Sequence, residues 1–232
     1  MVIAVFPPGL SFGNTLQCSM SFLKHNANWT CWLVTTEETH QISEKISEKE
    51  SRIRIIPQND LTQAILGAGD DVEFHFLIGP GTREIQLECI SALFNTSHIP
   101  KLWFIEENIS KNDKRYLRNY YKSKIDLISV SGHQIQTILS TDDVNFIEKH
   151  GLAWDVNTNR FTFKVIIPPD AHQFNKAKIR KFQDRVIQTF QDAKNRFGTH
   201  GVIGSHEPIP NTWSVQSHDR FQKAGIRGGI SS

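Results

Sequence analysis

Short apolar runs and longer amphipathic segments alternate along the first half of the chain. The apolar runs are Val2–Phe6, Thr30–Val34, Arg52–Pro57, Glu73–Ile78 and Lys101–Ile105. Each has the length of an ordinary strand and is rich in β-branched or aromatic residues, which predicts a buried β-strand.

The segments between these runs have helical spacing. Helices are predicted over about residues 14–25, 37–49, 60–66 and 83–95, and in the last of them Ile85, Cys89 and Leu93 fall on one face. Thr36 and Thr39 form an N-terminal capping pair for the second helix. Strands and helices that alternate with short connections predict a Rossmann-like, doubly wound parallel α/β sheet, whose ligands bind beyond the carboxyl ends of the strands.

The pattern changes after the fifth strand. Residues 107–124 are polar and basic and predict an exposed segment containing a helix, and Asp126–Ser131 predicts a further strand. Ser140 starts a helix that Gly151 ends. We therefore expect a domain boundary near residue 150, with one domain over 1–150 and a second over 151–232.

The second domain has fewer elements. Arg160–Ile167 alternates like a strand, residues 172–197 form the longest amphipathic helix, and Thr212–Gln216 predicts one more strand. The last residues, Gly225–Ser232, predict a flexible end. The pattern indicates a small α+β module.

Composition limits the class of protein. The 232 residues are 38% hydrophobic and 22% charged, and no apolar run approaches the roughly 20 residues that span a bilayer. This predicts a cytoplasmic globular protein without membrane partners. The three cysteines, Cys18, Cys31 and Cys89, are odd in number and form no CxxC pair, which disfavours a disulfide framework or a zinc knuckle.

Charge is distributed unevenly between the two predicted domains. The first 150 residues hold 14 Lys and Arg against 18 Asp and Glu, and the rest hold 12 against 6. A basic second domain is typical of contact with a polyanion such as RNA.

The loop after the fourth strand has anion-binding character. It reads Gly79-Pro80-Gly81-Thr82-Arg83 and leads into a helix. Glycines let the backbone approach a ligand, the helix N-terminus offers free N–H groups, and an arginine can grip a phosphate. The spacing matches neither a P-loop nor the GxGxxG dinucleotide motif.

Three loops in order resemble one known family. Pro8-Gly9-Leu10-Ser11-Phe12-Gly13-Asn14 follows strand one, LVTTEET follows strand two, and GPGTR follows strand four. This order is similar to that of CARF domains, the cyclic oligoadenylate sensors of type III CRISPR accessory proteins, over residues 1–150. Here FLIGPGTREI departs from the family's N-x-T-G-G-T-K-x-M pattern at the Asn, one Gly, the Lys and the Met.

The resemblance implies a homodimer that binds one cyclic oligoadenylate, with the tetra-adenylate favoured, as an activating ligand and no other cofactor. It implies a set of ligand-binding residues at the strand ends: Gly9, Ser11, Asn14, Thr35, Thr36, Glu37, Gly79, Gly81, Thr82 and Arg83. Some family members cleave the ring slowly, and Ser11 and Arg83 are the candidates for such cleavage here.

The second domain would then be the output. Its acidic residues, Asp155, Asp170, Asp184, Asp192, Glu207 and Asp219, form no ExK motif, which disfavours the metal-dependent nuclease of some relatives. Arg196 and His200 are too close for the HEPN ribonuclease motif. A small basic domain resembles RelE-type endoribonucleases, which cleave mRNA without a metal, so the sequence predicts a CRISPR-associated, antiviral, RelE-like mRNA interferase acting on RNA, free or on the ribosome.

Residues for this activity come from the basic helix and the His-rich end. Candidate RNA-binding residues are Lys176, Lys178, Arg180 and Lys181. Candidate catalytic residues are Arg185, His206, His218, Arg220, Lys223 and Arg227. No metal ligand set is predicted.

Three alternatives stay open at this level. The basic helix could enter DNA as part of a cyclic oligoadenylate-responsive transcription regulator. The chain could be a ring nuclease that degrades the cyclic oligoadenylate. The first domain could also be an unrelated nucleotide-binding Rossmann enzyme.

Overall fold

The computed structural model describes residues 1–107 and 115–228, and the chain divides into two compact units. Unit 1 is Met1–Ile138 and unit 2 is Leu139–Ser232. The division falls before the helix that starts after Ser140, whereas the sequence placed the domain boundary after that helix, near residue 150. The helix shares its buried face with unit 2, which hydrophobic periodicity alone does not reveal.

Unit 1 contains seven strands and five helices within the described residues. The strands are β1 (Val2–Phe6), β2 (Trp29–Thr35), β3 (Ile53–Pro57), β4 (Glu73–Ile78), β5 (Lys101–Glu107), β6 (Arg115–Asn119) and β7 (Lys124–Asp126). The helices are α1 (Phe12–His25), α2 (Glu37–Ser47), α3 (Leu61–Ala68), α4 (Arg83–Asn95) and α5 (Gly132–Ile138), and Gln58–Asp60 is a 3₁₀ turn.

The seven strands form one sheet in the order β3-β2-β1-β4-β5-β6-β7. Strands β1 to β5 pair in parallel, and β6 and β7 are antiparallel. The chain builds outward from β1 to β3 and then returns to place β4 on the other side of β1. The predicted doubly wound α/β fold is confirmed, and β1 and β4 flank its topological switch point.

The interior of unit 1 explains why these runs become strands. Ile3, Val5, Phe74 and Phe76 are all almost completely buried, and Ile85 packs against the same cluster. Strands covered by helices on both faces read as nearly continuous apolar runs rather than as alternating ones.

A buried histidine sits among aromatic rings at the amino end of β4. The Trp103 Nε1–H donates to His75 Nδ1 at 2.9 Å, and His75 Nε2 lies 2.5 Å from the Glu73 carboxylate. Because the indole N–H can only donate, His75 Nδ1 must accept, and His75 must be neutral with its proton on Nε2. Burial lowers the pKa of His75, against the opposing effect of Glu73.

We expect unit 1 to lose stability as the pH falls below the ordinary histidine pKa of about 6.5. In the unfolded state His75 then binds a proton, whereas in the folded state its ring stays neutral until the pH reaches its lowered pKa. The free energy of unfolding therefore decreases by up to about 1.4 kcal/mol for each pH unit in this range. Urea unfolding between pH 7.5 and 5 should show that the free energy of unfolding decreases more steeply for the parent than for His75→Gln, which keeps an acceptor but does not titrate. If the free energies of the two proteins change with pH in parallel, this expectation is contradicted.

The end of unit 1 differs from its prediction. Of the stretch 107–124, where a helix was expected, residues 108–114 lie outside the described part, and residues 115–124 contain strand β6 and the start of β7. The stretch 126–131 holds only the end of β7, and α5 follows it. Only Leu117 of β6 is fully buried, so a short strand near the sheet edge gives too little periodicity to recognise.

Unit 2 is a smaller layered structure. Its strands are β8 (Ala153–Asp155), β9 (Arg160–Val165), β10 (Val202–His206) and β11 (Ile226–Gly228). Its helices are α6 (Thr141–His150), α7 (Lys176–Phe197) and α8 (Val215–Lys223), with a 3₁₀ turn at Ala171–Gln173. The sheet order is β11-β10-β9-β8, with β9, β10 and β11 parallel and β8 antiparallel.

One face of the second sheet carries both α7 and α8. Phe163 and Phe190 stack with ring centroids 5.8 Å apart, and a Cβ on Gly204 would lie 2.9 Å from the Phe190 ring. Gly204 therefore lets α7 approach β10 closely. The arrangement strand, helix, strand, helix, strand places the carboxyl ends of three strands at one edge.

The last third of unit 2 differs from its prediction. The predicted strand Thr212–Gln216 is instead a turn at Thr212 and Trp213, followed by the N-cap residue Ser214 and the first two residues of α8. Strands β10 and β11 were not predicted, and β11 takes up Ile226–Gly228 of the end expected to be flexible, while residues 229–232 lie outside the described part. Trp213 packs in the core of unit 2, and its indole N–H donates to Ala171 O.

In the parts of the chain that the structure describes, every helix is too short or too polar to cross a membrane.

Candidate functional site

The loops after β1 and β4 meet at the switch point of the first sheet. A Cβ on Gly9 would lie 3.7 Å from the Gly81 backbone nitrogen, and a Cβ on Gly81 would lie 2.8 Å from Pro7 Cβ. Gly81 also has a positive φ of 78°. Only glycine satisfies both conditions at position 81, and it lets the β4 loop lie against the β1 loop at the N-termini of α1 and α4.

A side chain of α4 holds the β4 loop in place. The Gln86 Nε2 group donates to Pro80 O at 3.0 Å and to Gly81 O at 3.1 Å, and Gln86 Oε1 accepts from Gly79 N–H at 3.3 Å. Gln86 was not among the residues predicted from the sequence. A polar residue one turn inside a helix that follows a Gly-rich loop is a signal that could have found it.

Two polar atoms beside this loop lack hydrogen-bond partners among the described residues. They are Ser11 Oγ, at the N-cap of α1, and Asn14 Oδ1, in its first turn. Ser11 is only 3% exposed and makes no capping bond. Buried polar groups are normally paired, because an unsatisfied one costs about 1–3 kcal/mol. Such an arrangement can bind a polar ligand at the positive end of a helix.

The other two residues of the β4 loop have different roles. Thr82 is the N-cap of α4, and its Oγ1 accepts from Ile85 N–H at 3.5 Å. Arg83 is exposed, and it takes part in none of the ion pairs between side chains that the structure describes. The threonine therefore shapes the loop, whereas the arginine is available to a ligand anion.

The residues after β2 line a separate cavity of about 530 Å³ at the same edge of the sheet. Its lining consists of Thr35, Thr36, Glu37, His40, Gln41, Pro57, Gln58 and Asn59. Thr36 N–H donates to Thr39 Oγ1 at 3.0 Å, which confirms the predicted pairing of Thr36 with Thr39. His40 Nδ1 lies 3.3 Å from Thr35 Oγ1. The cavity is large enough for a heterocyclic base and offers hydroxyl, amide and imidazole groups to bind one.

Residues 57–59 were not predicted because they join Thr35–Glu37 only through the pairing of β2 with β3. His40 and Gln41 were not predicted either, although they lie about one turn after Glu37 on α2. No local pattern in the sequence indicates that the end of β3 reaches this cavity.

Unit 2 carries a basic groove between α7 and α8 of about 410 Å³. Its cationic members are Lys176, Arg180 and Arg220, and it is further lined by Ile179, Gln183, Thr212, Ser214, Gln216 and Ser217. Arg220 also bonds to Asp184. The two other candidate RNA-binding lysines lie outside this lining. Lys178 is 3.5 Å from the Asp170 carboxylate and lies over the Phe174 ring, and Lys181 is exposed.

The six candidate catalytic residues of unit 2 do not form one cluster. Arg185 lines a different cavity of about 360 Å³ with Lys149 and Lys164. Arg220 lies in the basic groove, Lys223 is exposed at the end of α8, and Arg227 is exposed on β11. Two of the six do meet, because the rings of His206 and His218 have centroids 5.7 Å apart.

Over residues 1–107 and 115–228, no group of three or more His, Cys, Asp or Glu side chains is placed to hold a metal ion.

Comparison with known proteins gives only distant similarities. No protein-family model and no curated protein sequence matches the chain. One similar solved structure is Can2 from Sulfobacillus thermosulfidooxidans in complex with cyclic tetra-adenylate, at 8% identity and a TM-score of 0.49, over 99% of this chain and 95% of that one. Another is protein VC1899 from Vibrio cholerae, at 8% identity and a TM-score of 0.48, over 98% and 93%. At these TM-scores neither similarity bears on function.

Proposed function

We propose that unit 1 binds a cyclic oligoadenylate and that unit 2 is a basic output that binds and cleaves RNA. The observation that carries the first half is the pair of unpartnered polar atoms, Ser11 Oγ and Asn14 Oδ1, beside the Gly79–Arg83 loop. They lie where a doubly wound sheet binds its ligands, and Arg83 supplies a charge for a phosphate.

The ligand class follows from the two neighbouring features of this edge. A phosphate at the α1 and α4 N-termini and a base in the cavity after β2 would together hold a nucleotide. A ring of such nucleotides has rotational symmetry and suits a two-fold dimer in which each protomer binds one half. This supports the cyclic oligoadenylate that the loop order suggests, with the tetra-adenylate favoured.

The dimer would form over α4. Leu87 and Phe94 lie on this helix with exposures of 68% and 54%, and Ile99, which follows it, is also exposed. Large apolar side chains grouped on one surface helix are typical of a protein interface. Because α4 starts at the ligand loop, pairing two copies there would bring two binding sites to one ligand.

The output is proposed from the charge of unit 2 and from its groove. Three cations line a groove that also holds three hydroxyl side chains, which suits an RNA backbone. The resemblance to RelE-type mRNA interferases, the independence from metal and the use of ribosomes remain predictions from the sequence.

The direct test is cleavage of a labelled RNA in the presence of EDTA, with and without cyclic tetra-adenylate, and with cyclic hexa-adenylate in parallel. We expect cleavage that depends on the ligand. Ligand binding without RNA cleavage would refute the ribonuclease output and favour DNA, or cleavage of the ring itself, as the target. Absence of any ligand binding would refute the sensor.

We expect Arg83→Ala to weaken binding of cyclic tetra-adenylate about 10-fold or more, the scale expected when one charge-assisted hydrogen bond is removed. Isothermal titration calorimetry measures the change directly. Arg54→Ala is a matched control, since Arg54 is an exposed arginine in the middle of β3. Equal affinities of the two variants would contradict a role for Arg83 in binding.

We expect Leu87→Glu to raise the dimer dissociation constant at least 10-fold, because a carboxylate would be buried without a partner in the interface. Sedimentation velocity across a concentration series would measure it. The control is Leu66→Glu, which alters an equally apolar, exposed residue on α3. A parent that sediments as a monomer with ligand bound would refute the dimer.

A further inference from the structure

One buried histidine of unit 2 has a ring nitrogen without a partner. His206 ends β10, is 2% exposed, and its Nδ1 lies 2.7 Å from Glu207 O. A carbonyl only accepts, so Nδ1 carries the proton and Nε2 presents a lone pair. That Nε2 is buried and makes no hydrogen bond to the described residues. The cost of such an unsatisfied acceptor calls for an explanation.

A second histidine, His218, packs beside the ring of His206. It is an exposed residue of α8, and its ring stands at 82° to that of His206. A methyl group placed on Gly228 would lie 3.6 Å from His206 Nε2 and 3.9 Å from His218 Nε2. The two Nε2 atoms therefore face one small space that the glycine leaves open.

We infer that His206 positions His218 as the general base of an RNA-cleaving site, an inference that rests on the proposed ribonuclease function. An N–H on His218 Nε2 donates to one water, which in turn donates to His206 Nε2. Because the structure contains no direct bond between the two rings, a bridging water carries this contact, which fixes the tautomer of His218 and leaves its Nδ1 as an acceptor on the exposed member of the pair. Catalytic histidines are commonly oriented by a second, buried acceptor in this way.

The position of the pair agrees with this role. His206 and Gly228 both lie at the carboxyl edge of the parallel strands, where α/β sheets place their sites. His218 directly follows Ser217, which lines the basic groove. An RNA backbone held by Lys176, Arg180 and Arg220 would therefore pass beside the exposed imidazole.

The reaction is an internal transfer at phosphorus. His218 Nδ1 takes the proton of a ribose 2′-hydroxyl, the 2′-oxygen forms a bond to the adjacent phosphorus, and the bond from phosphorus to the 5′-oxygen breaks. The leaving 5′-oxygen takes a proton from water, and the hydroxide so formed recovers the proton from His218. The products carry a 2′,3′-cyclic phosphate and a 5′-hydroxyl, and DNA cannot react.

The test uses the full chain with cyclic tetra-adenylate and a labelled RNA, and it follows cleavage rate, RNA affinity and thermal unfolding. We expect His218→Ala to slow cleavage 100-fold or more without weakening RNA binding, a typical loss for a general base. His206→Phe should slow it at least 10-fold, and His206→Gln, which restores an acceptor, should recover most of the rate. The control is His200→Ala, an exposed histidine outside the pair.

Several results would overturn the inference. If the parent cleaves RNA and His218→Ala cleaves equally well, the pair is not catalytic, while the proposed function stands. If His206→Phe is as active as the parent, His206 does not position the base. The same follows if His206→Gln cleaves RNA as slowly as His206→Phe while both variants have the thermal stability of the parent. If the parent cleaves no RNA with either cyclic ligand, the ribonuclease function fails and the inference fails with it.

Discussion

Replacement of Gly81 by alanine should destabilise unit 1 by about 2–4 kcal/mol and weaken binding of cyclic tetra-adenylate at least 10-fold. The backbone of Gly81 has a φ of 78°, which costs a residue with a side chain about 1–2 kcal/mol. In addition, the new Cβ would lie 2.8 Å from Pro7 Cβ and 2.9 Å from Pro7 Cγ. Pro7 is buried and its ring is fixed to the backbone, so the β4 loop must move away from the β1 loop.

Gly69→Ala separates the two causes. Gly69 also has a positive φ, 88°, but a Cβ there would have no neighbour within 4 Å. It should therefore show the cost of backbone strain without the clash and without any weakening of ligand binding. Urea unfolding and calorimetric ligand titration measure both effects. If the two variants are equally stable and bind equally well, the close approach of Gly81 to Pro7 does not shape the site.

Replacement of Lys176 and Arg180 together by alanine should weaken RNA binding by about 10- to 100-fold at moderate salt. The two residues lie one helical turn apart on α7 and line the groove with Arg220. The association constant for RNA decreases with salt concentration, and each lost phosphate contact should make the plot of log K against log salt shallower by about 0.7 for a single strand. For the two residues we therefore expect a slope whose magnitude is smaller by about 1.4, measured by fluorescence anisotropy over a salt series.

The matched control is the double variant Lys178→Ala with Lys181→Ala. It removes the same charge from the same exposed helix, but neither residue lines the groove. Both pairs were candidates from the sequence, and only the tertiary structure separates them. If the control variant binds RNA as weakly as the groove variant, RNA is held by the overall charge of unit 2 and not by the groove.

Elements that are defined by neighbours along the chain can be predicted from the sequence alone. Buried strands such as Val2–Phe6 are continuous apolar runs, and the caps at Thr36, Ser140 and Gly151 need only residues within one turn. Gly151 indeed has a left-handed conformation with a φ of 63°. These features depend on local sterics and on hydrogen bonds over three or four residues, so they can be predicted from short stretches of sequence.

The short strands could not be predicted from local sequence patterns. Strands β7 and β11 have three residues each, fewer than a period-two pattern needs to be distinguished from a turn. They exist because β6 and β10 offer them an unpaired edge. Similarly, the start of α8 was not recognised because Trp213 and Val215 favour β-structure. Trp213 is buried by tertiary contacts, with the Phe182 ring of α7 and with Ala171 O.

The same distinction between local and long-range features applies to the candidate sites. The sequence alone indicates which loops follow the parallel strands, and hence that Ser11, Thr35 and Gly81 lie at one edge. The contact of Gly81 with Pro7, the position of residues 57–59 beside Thr35 and the packing of His206 beside His218 are visible only in the folded structure. These contacts depend on the order and register of strands far apart in the chain, and local periodicity carries no information about either.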